Sequence, residues 1–176
     1  MLIPRKIDIK TDKDTLLELH CRINYESAAP LARAEPYDQY REKWLSTSPS
    51  HPEIFLKDLA ESMADKRTIA EIWEDDGAVV GYLWVRFSDL HWGDDNLTTA
   101  QVYDLMVTDD YQRHGIGRKL LAHAEKLARE RGADILRSGT GIENTASQSL
   151  HESSAFKIYY IEYEKLLTNE KLMESR

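Results

Sequence analysis

The strongest constraint on this chain is a change of periodicity around one pair of glycines. Residues 98–107, "TTAQVYDLMV", read as a strand. After "TDDYQRHGIG" the spacing predicts a helix over about 116–131, with Ile116, Leu120, Leu121, Ala124, Leu127 and Ala128 on one face and Gly132 at its end. The first amides of a helix lack internal partners, and the aligned peptide dipoles place partial positive charge there. Glycine lets an anion approach such a turn closely, and Arg113 and Arg118 flank Gly115 and Gly117. The turn therefore reads as a pyrophosphate cradle or as a plain strand-to-helix connection. It is not the dinucleotide fingerprint, because Leu120 stands at the third glycine position, and no GxxxxGK[ST] run occurs in the chain.

The other elements place this unit in a layered domain. Residues 1–10 read loosely as a strand, and Thr11 to about Tyr25 as a helix capped by Asp12 or Thr11. Residues 28–36 form a connector, and helices follow over about 36–46 and 52–65. Residues 68–74 and 78–88 flank "DDG" as a hairpin. In the second of these strands Val79, Leu83, Val85 and Phe87 share one face, with Val80, Tyr82 and Trp84 on the other, which suggests an interior strand. Residues 89–96 read as a turn. A strand at about 134–139, a helix at 145–153 after Asn144, and a β-rich run at 156–166 complete the second half. The order specifies one α/β or α+β domain over 1–176.

Composition narrows the function classes. The chain has 176 residues, with 23 Lys and Arg against 31 Asp and Glu, a net charge of -8. Such a surface repels phosphate backbones, so a nucleic-acid partner is not expected. No apolar run approaches bilayer length and the N-terminus lacks a secretory h-region, so a cytoplasmic protein with no membrane partner is expected. Cys21 is alone, and the six His residues lack paired metal-ligand spacing, so no metal is expected.

The segment "DLMVTDDYQRHGIGRKLLAHAEKLARERGAD" resembles the acetyl-CoA-binding core of the GCN5-related N-acetyltransferases (GNAT). The family pattern Gln/Arg-x-x-Gly-x-Gly/Ala is met by Gln112, Gly115 and Gly117, and the preceding strand by Leu105, Met106 and Val107. Downstream, Asn144, Leu150-His151 and Ala155-Phe156 stand where the family shows an Asn, an apolar-Tyr pair and Gly-Phe. The resemblance covers about 97–166. It implies a mixed, mostly antiparallel central sheet flanked by helices, and acetyl transfer to a primary amine in a ternary complex. It further implies that the amides of Gln112, Arg113, His114, Gly115, Ile116 and Gly117, with Arg118, hold the pyrophosphate. Leu105 to Val107 would pair with pantetheine, the Val107 amide would face the thioester oxygen, and Asn144 would bond the coenzyme arm as well as cap a helix. Dimers are common among similar proteins.

The departures concern catalysis. His151 occupies the place of the usual Tyr acid, and reads as a proton donor or as a helix-surface His. Tyr159 and Tyr160 are alternative donors. The positions where relatives carry a basic carboxylate hold Gln101 and Gly139, which leaves Asp104 and Glu143 as candidate bases; Asp104 reads more readily as a solvated residue with no role. Cys21 reads as a core thiol rather than a nucleophile. Trp92 with Asp94 and Asp95 suits a cationic amine or a polar hairpin. The acceptor is expected to be a small-molecule or peptide amine; the alternative is an acyl-CoA-binding module with weak or absent turnover.

Overall fold

Asp76 and Gly77 both adopt left-handed backbone, with φ of 50° and 83°, which is the turn that joins twisted antiparallel strands most tightly. This turn links β2 (Thr68–Asp75) to β3 (Ala78–Ser88). The structure, a computed structural model, describes residues 1–28, 35–46, 50–88 and 97–165. β1 (Leu2–Lys6) pairs with β2, and β4 (Thr99–Val107) with β3, all antiparallel. β5 (Ile135–Arg137) joins β4 in parallel, so the sheet runs β1-β2-β3-β4-β5 and is mixed but mostly antiparallel, as the resemblance implied.

Each face of the sheet carries its own core. On one face α4 (Ile116–Glu130) lays Leu120, Leu121, Ala124 and Ala128 against Val80, Leu83, Val85, Ala100 and Val102. On the other, α1 (Ile9–Ser27) and α3 (His51–Ala64) press Leu16, Leu19, Phe55 and Leu59 onto Ile72, Tyr82 and Trp84. α2 (Tyr37–Ser46) packs beside them, and α5 (Thr145–Ser153) follows β5. A strand buried on both faces must be apolar on both, which is why β3 reads as it does.

Four details differ from the sequence-based expectation. The faces of β3 exchange near its start: Val80 lies with Leu83 and Val85, and Val79 with Tyr82 and Trp84. Val80 is the extra residue of a bulge, since Gly81 faces Trp73 while Val79 faces Glu74, and one inserted residue reverses the alternation. The N-cap of α1 is Asp8, whose carboxylate accepts from the Lys10 amide at 2.9 Å, not Thr11 or Asp12. Asp12 is buried instead, accepting two bonds from the Arg5 guanidinium at 2.7 and 2.8 Å and one from the Asp8 amide at 2.8 Å. The strand predicted at 134–139 contracts to three residues. Finally, residues 156–165 hold no strand: the Phe156 amide closes the end of α5 by donating to the His151 carbonyl at 3.0 Å, and Ile158 to Ile161 are exposed.

Arg5 also donates to Glu74 at 2.7 Å, so one guanidinium joins β1, β2 and α1. It holds the Asp12 carboxyl below the ordinary carboxylate range. A depressed folded value stabilises above the unfolded one and is lost as pH falls. Arg5→Met is expected to cost about 2 kcal/mol at pH 7. The difference from wild type should shrink below about pH 4, as urea denaturation at neutral and acidic pH will measure.

Candidate functional site

β5 pairs with β4 only at Thr99, Ala100 and Gln101. From Val102 to Val107 the far edge of β4 has no strand beside it among the described residues, and a cleft of about 940 Å³ opens there. Its floor is that free edge. Its walls are the C-terminal turns of α1, the loop after β5, α5, and the turn leading into α4.

The turn exposes donors. After Val107 the chain makes one 3-10 turn (Asp109–Tyr111), then passes through left-handed backbone at Arg113 (φ 67°) and Gly115 (φ 78°). Gly115 is the N-cap of α4, and no side chain caps it. The amides of Ile116, Gly117 and Arg118 consequently have no acceptor among the described residues. The Gln112 side chain braces the turn, donating to the Val107 carbonyl at 3.2 Å and to Asp109 at 3.0 Å. Arg22 of α1 reaches Asp109 at 2.6 Å and ties the opposite wall to it. A Cβ on Gly117 would stand 3.3 Å from Leu150 and 3.8 Å from Val107, so this glycine lets α5 and β4 close on the helix start.

Of the predicted coenzyme residues, Leu105, Met106, Val107, Gln112, Arg113, Gly115, Gly117, Arg118 and Asn144 line the cleft. Ile116 buries its side chain in the α4 core, leaving only its amide at the turn. His114 is exposed, its Nδ1 donating to the Gln112 carbonyl at 2.8 Å, and is not among the lining residues.

Asn144 caps α5, accepting from the Ser147 amide at 3.0 Å and leaving its side-chain NH2 for the cleft. His151 lies 2.7 Å from the Ser147 carbonyl through Nδ1 and 2.7 Å from the Ser138 hydroxyl through Nε2. A carbonyl only accepts, so Nδ1 carries a proton, and Nε2 of the neutral ring accepts from Ser138. Phe156 meets the ring edge-on at 5.2 Å. Sequence reasoning missed Ser138: it is thirteen residues away, beyond a loop, and nothing in its surroundings marks it.

Asp104 lines the cleft yet is only 5% exposed. The alternation of β4 is interrupted by a bulge, since Trp84 faces Asp104 while Val85 faces Val102, and Tyr103 is the extra residue. Asp104 thus turns toward α1, where His20 Nδ1 meets its Oδ2 at 2.7 Å. The Tyr82 hydroxyl is buried beside this carboxylate without a hydrogen bond of good geometry. Burial first, and the Asp104 charge second, push the Tyr82 phenol well up. Glu143 is exposed and not among the lining residues, and neither are Tyr159 and Tyr160. Cys21 is buried away from the cleft, its thiol pushed up by burial, as a core residue would be. Trp92, Asp94 and Asp95 lie outside the described residues.

Comparison with known proteins agrees with this architecture. The family model described as "Acetyltransferase (GNAT) family" matches residues 30–156. Mycothiol acetyltransferase of Beutenbergia cavernae is 30% identical over 115 residues, 61% of this chain and 36% of that protein. L-amino acid N-acyltransferase MnaT of Escherichia coli is 34% identical over 85 residues, 48% of each chain. The matches span about a third to a half of the length of these curated relatives. Among solved structures, aminoglycoside N-acetyltransferase AAC(6')-Iy in complex with CoA superposes with a TM-score of 0.63 at 19% identity, covering 94% of this chain and 95% of that one. An aminoglycoside 6'-N-acetyltransferase from Acinetobacter baumannii gives 0.66 at 14% identity, covering 96% and 100%.

The two glycines of the turn should respond differently. Gly115→Ala places a side chain in left-handed backbone and is expected to cost about 1–2 kcal/mol. Gly117→Ala meets only the flexible end of Leu150 and should cost less, with urea denaturation ranking the pair.

Proposed function

Because the chain belongs to the acetyltransferase (GNAT) family, we propose that it transfers the acetyl group of acetyl-CoA to a small primary amine by direct attack, both held in the cleft between β4 and β5. One observation carries this reading: the sheet parts at the unpaired amides that open α4. Orphan donors at a helix start, with Arg113 and Arg118 beside them, fit a diphosphate.

The residues divide the work by chemistry. Backbone amides from Arg113 to Gly117 would hold the pyrophosphate, the Gln112 amide being engaged by the Asp109 carbonyl at 3.2 Å. The free edge at Leu105 to Val107 would pair with the pantetheine arm as with an added strand. The Asn144 NH2 left over from capping would bond the same arm. Acetyl-CoA, when bound, supplies an acyl group already activated as a thioester. The Val107 amide would donate to the acyl oxygen, where negative charge grows.

Protons must move at both ends of the transfer. An amine is mostly protonated near neutrality, with a pKa of about 10, and only its neutral form attacks. Asp104 would attract the ammonium and receive its proton, directly or through water. The departing sulfur would gain a proton from the Ser138 hydroxyl, which would be replenished from His151 Nε2, 2.7 Å away, once that nitrogen, an acceptor in the neutral ring, has itself taken up a proton from solvent. The His151 ring is held for this by its bond to the Ser147 carbonyl. The acidic balance of the chain, -8, favours a cationic acceptor.

Calorimetry with acetyl-CoA and assay of thiol release with primary amines test the reading. Wild type is expected to bind and to release thiol. Gly117→Val, whose methyls would enter the Leu150–Val107 contact, should weaken binding at least about tenfold while the circular dichroism spectrum is kept. Absence of binding heat for wild type overturns the site; binding with no release on any amine would favour the coenzyme-binding module.

A further inference from the structure

Asp104 is a carboxylate taken almost wholly out of water, and His20 is the one charge-capable group that pairs with it among the described residues. An isolated buried carboxylate is costly, and a well-packed apolar pair is often as stable as a buried ionic one. Packing alone therefore does not account for the pair. Its position does suggest a use: Oδ2 is engaged by His20, while no hydrogen bond is made to Oδ1 among the described residues and Asp104 lines the cleft.

The His20 ring is held from three sides. It stacks on Phe55 of α3, with centroids 3.8 Å apart and planes 9° from parallel. Trp44 of α2 tilts against it at 6.1 Å, and His51 stacks on Trp44 in turn. An ionised carboxylate accepts only, so Nδ1 is the donor and the ring has little freedom to withdraw it. The Tyr82 hydroxyl borders the same carboxylate without a hydrogen bond of good geometry, and Trp84 lies opposite it on β3 with its Nε1 unbonded among the described residues.

We propose that His20 is a positioning residue: its Nδ1–H holds the Asp104 carboxylate with Oδ1 turned to the cleft, and so makes the site a receptor for a cationic amine. The assignment rests on the acetyl-transfer reading above. On this view the bulge at Tyr103 has a purpose, since it is what aims Asp104 at α1 rather than at α4. Three helices that build the apolar side of the domain thereby set the orientation of one anion. A substrate nitrogen arriving as ammonium meets a charge already desolvated and aligned, and a neutral analogue of the same shape gains nothing from it.

Three variants separate positioning from packing. Asn at position 20 can place its amide nitrogen near that of Nδ1, Gln places it farther out, and Leu fills space without a donor. For wild type and each variant, acetyl-CoA affinity is measured by calorimetry, and kcat and KM for amine from thiol release. The probes are propylamine, spermidine, glucosamine and lysine amide. His20→Leu and His20→Gln are expected to lose roughly ten- to a hundredfold in kcat/KM for the amine, the effect of removing a bond to a charged group, with acetyl-CoA affinity unchanged. His20→Asn should recover to within a few-fold of wild type. If His20→Leu fails to fold, the Asn and Gln forms still decide the matter. Asn and Gln variants equal to each other and to wild type overturn the role of His20 and leave acetyl transfer standing. A wild-type protein that binds acetyl-CoA but releases thiol with none of the four amines overturns both.

A second readout does not involve turnover. With 15N-labelled histidine, the His20 Nδ1 proton should appear at low field in wild type and vanish in Asp104→Leu. An unchanged signal overturns the bond on which the assignment depends.

Discussion

Two parallel strands that pair for three residues and then diverge govern this molecule. A sheet normally satisfies each main-chain donor and acceptor along its length, and an open internal edge is a cost that folds avoid. Here β4 keeps β3 on one side through Val107, whereas β5 leaves after facing Gln101. The unpaired edge and the unpaired amides of α4 both face the cleft, joined by the turn over residues 108–115. Main-chain donors and acceptors thus border the cleft along the β4 edge and again where the helix dipole is positive.

The rest of the fold holds that line in place. α4 is pinned by its apolar stripe, so its first turn cannot drift from the end of β4. Gln112 closes the turn on the Val107 carbonyl, and Arg22 reaches across from α1 to Asp109. The guanidinium also lies over the Tyr37 ring at 4.0 Å, which fixes it from behind. These exposed contacts contribute little stability; they set the distance between walls.

Polar side chains at the cleft come in pairs, one at the wall and one behind it. His151 is held by the Ser147 carbonyl and holds Ser138, while Asp104 is held by His20. In each pair a histidine nitrogen bonded to an acceptor has its tautomer decided by that acceptor, which settles which atom is left to receive or give a proton. The two pairs lie on opposite sides of the parted strands, one on α5 and the β5 loop, the other on α1 and β4.

The order of elements as far as α5, the interior position of β3, the stripe of α4 and the glycine turn were legible in the sequence, because each depends on neighbours within a few residues. The same locality made the family resemblance visible between about 97 and 166. What depended on distant partners was not legible. The bulges at Val80 and Tyr103 arise from pairing between strands, and reverse faces that simple alternation would assign. Asp12 reads as a helix cap until Arg5 is brought to it by the β1–β2 pairing. His20 and Asp104 stand 84 positions apart, and Ser138 and His151 meet only because β5 and α5 fold back on each other. Short-range periodicity can specify helix, strand and turn; the partner of a buried charge is chosen by packing, so only the tertiary structure decides it.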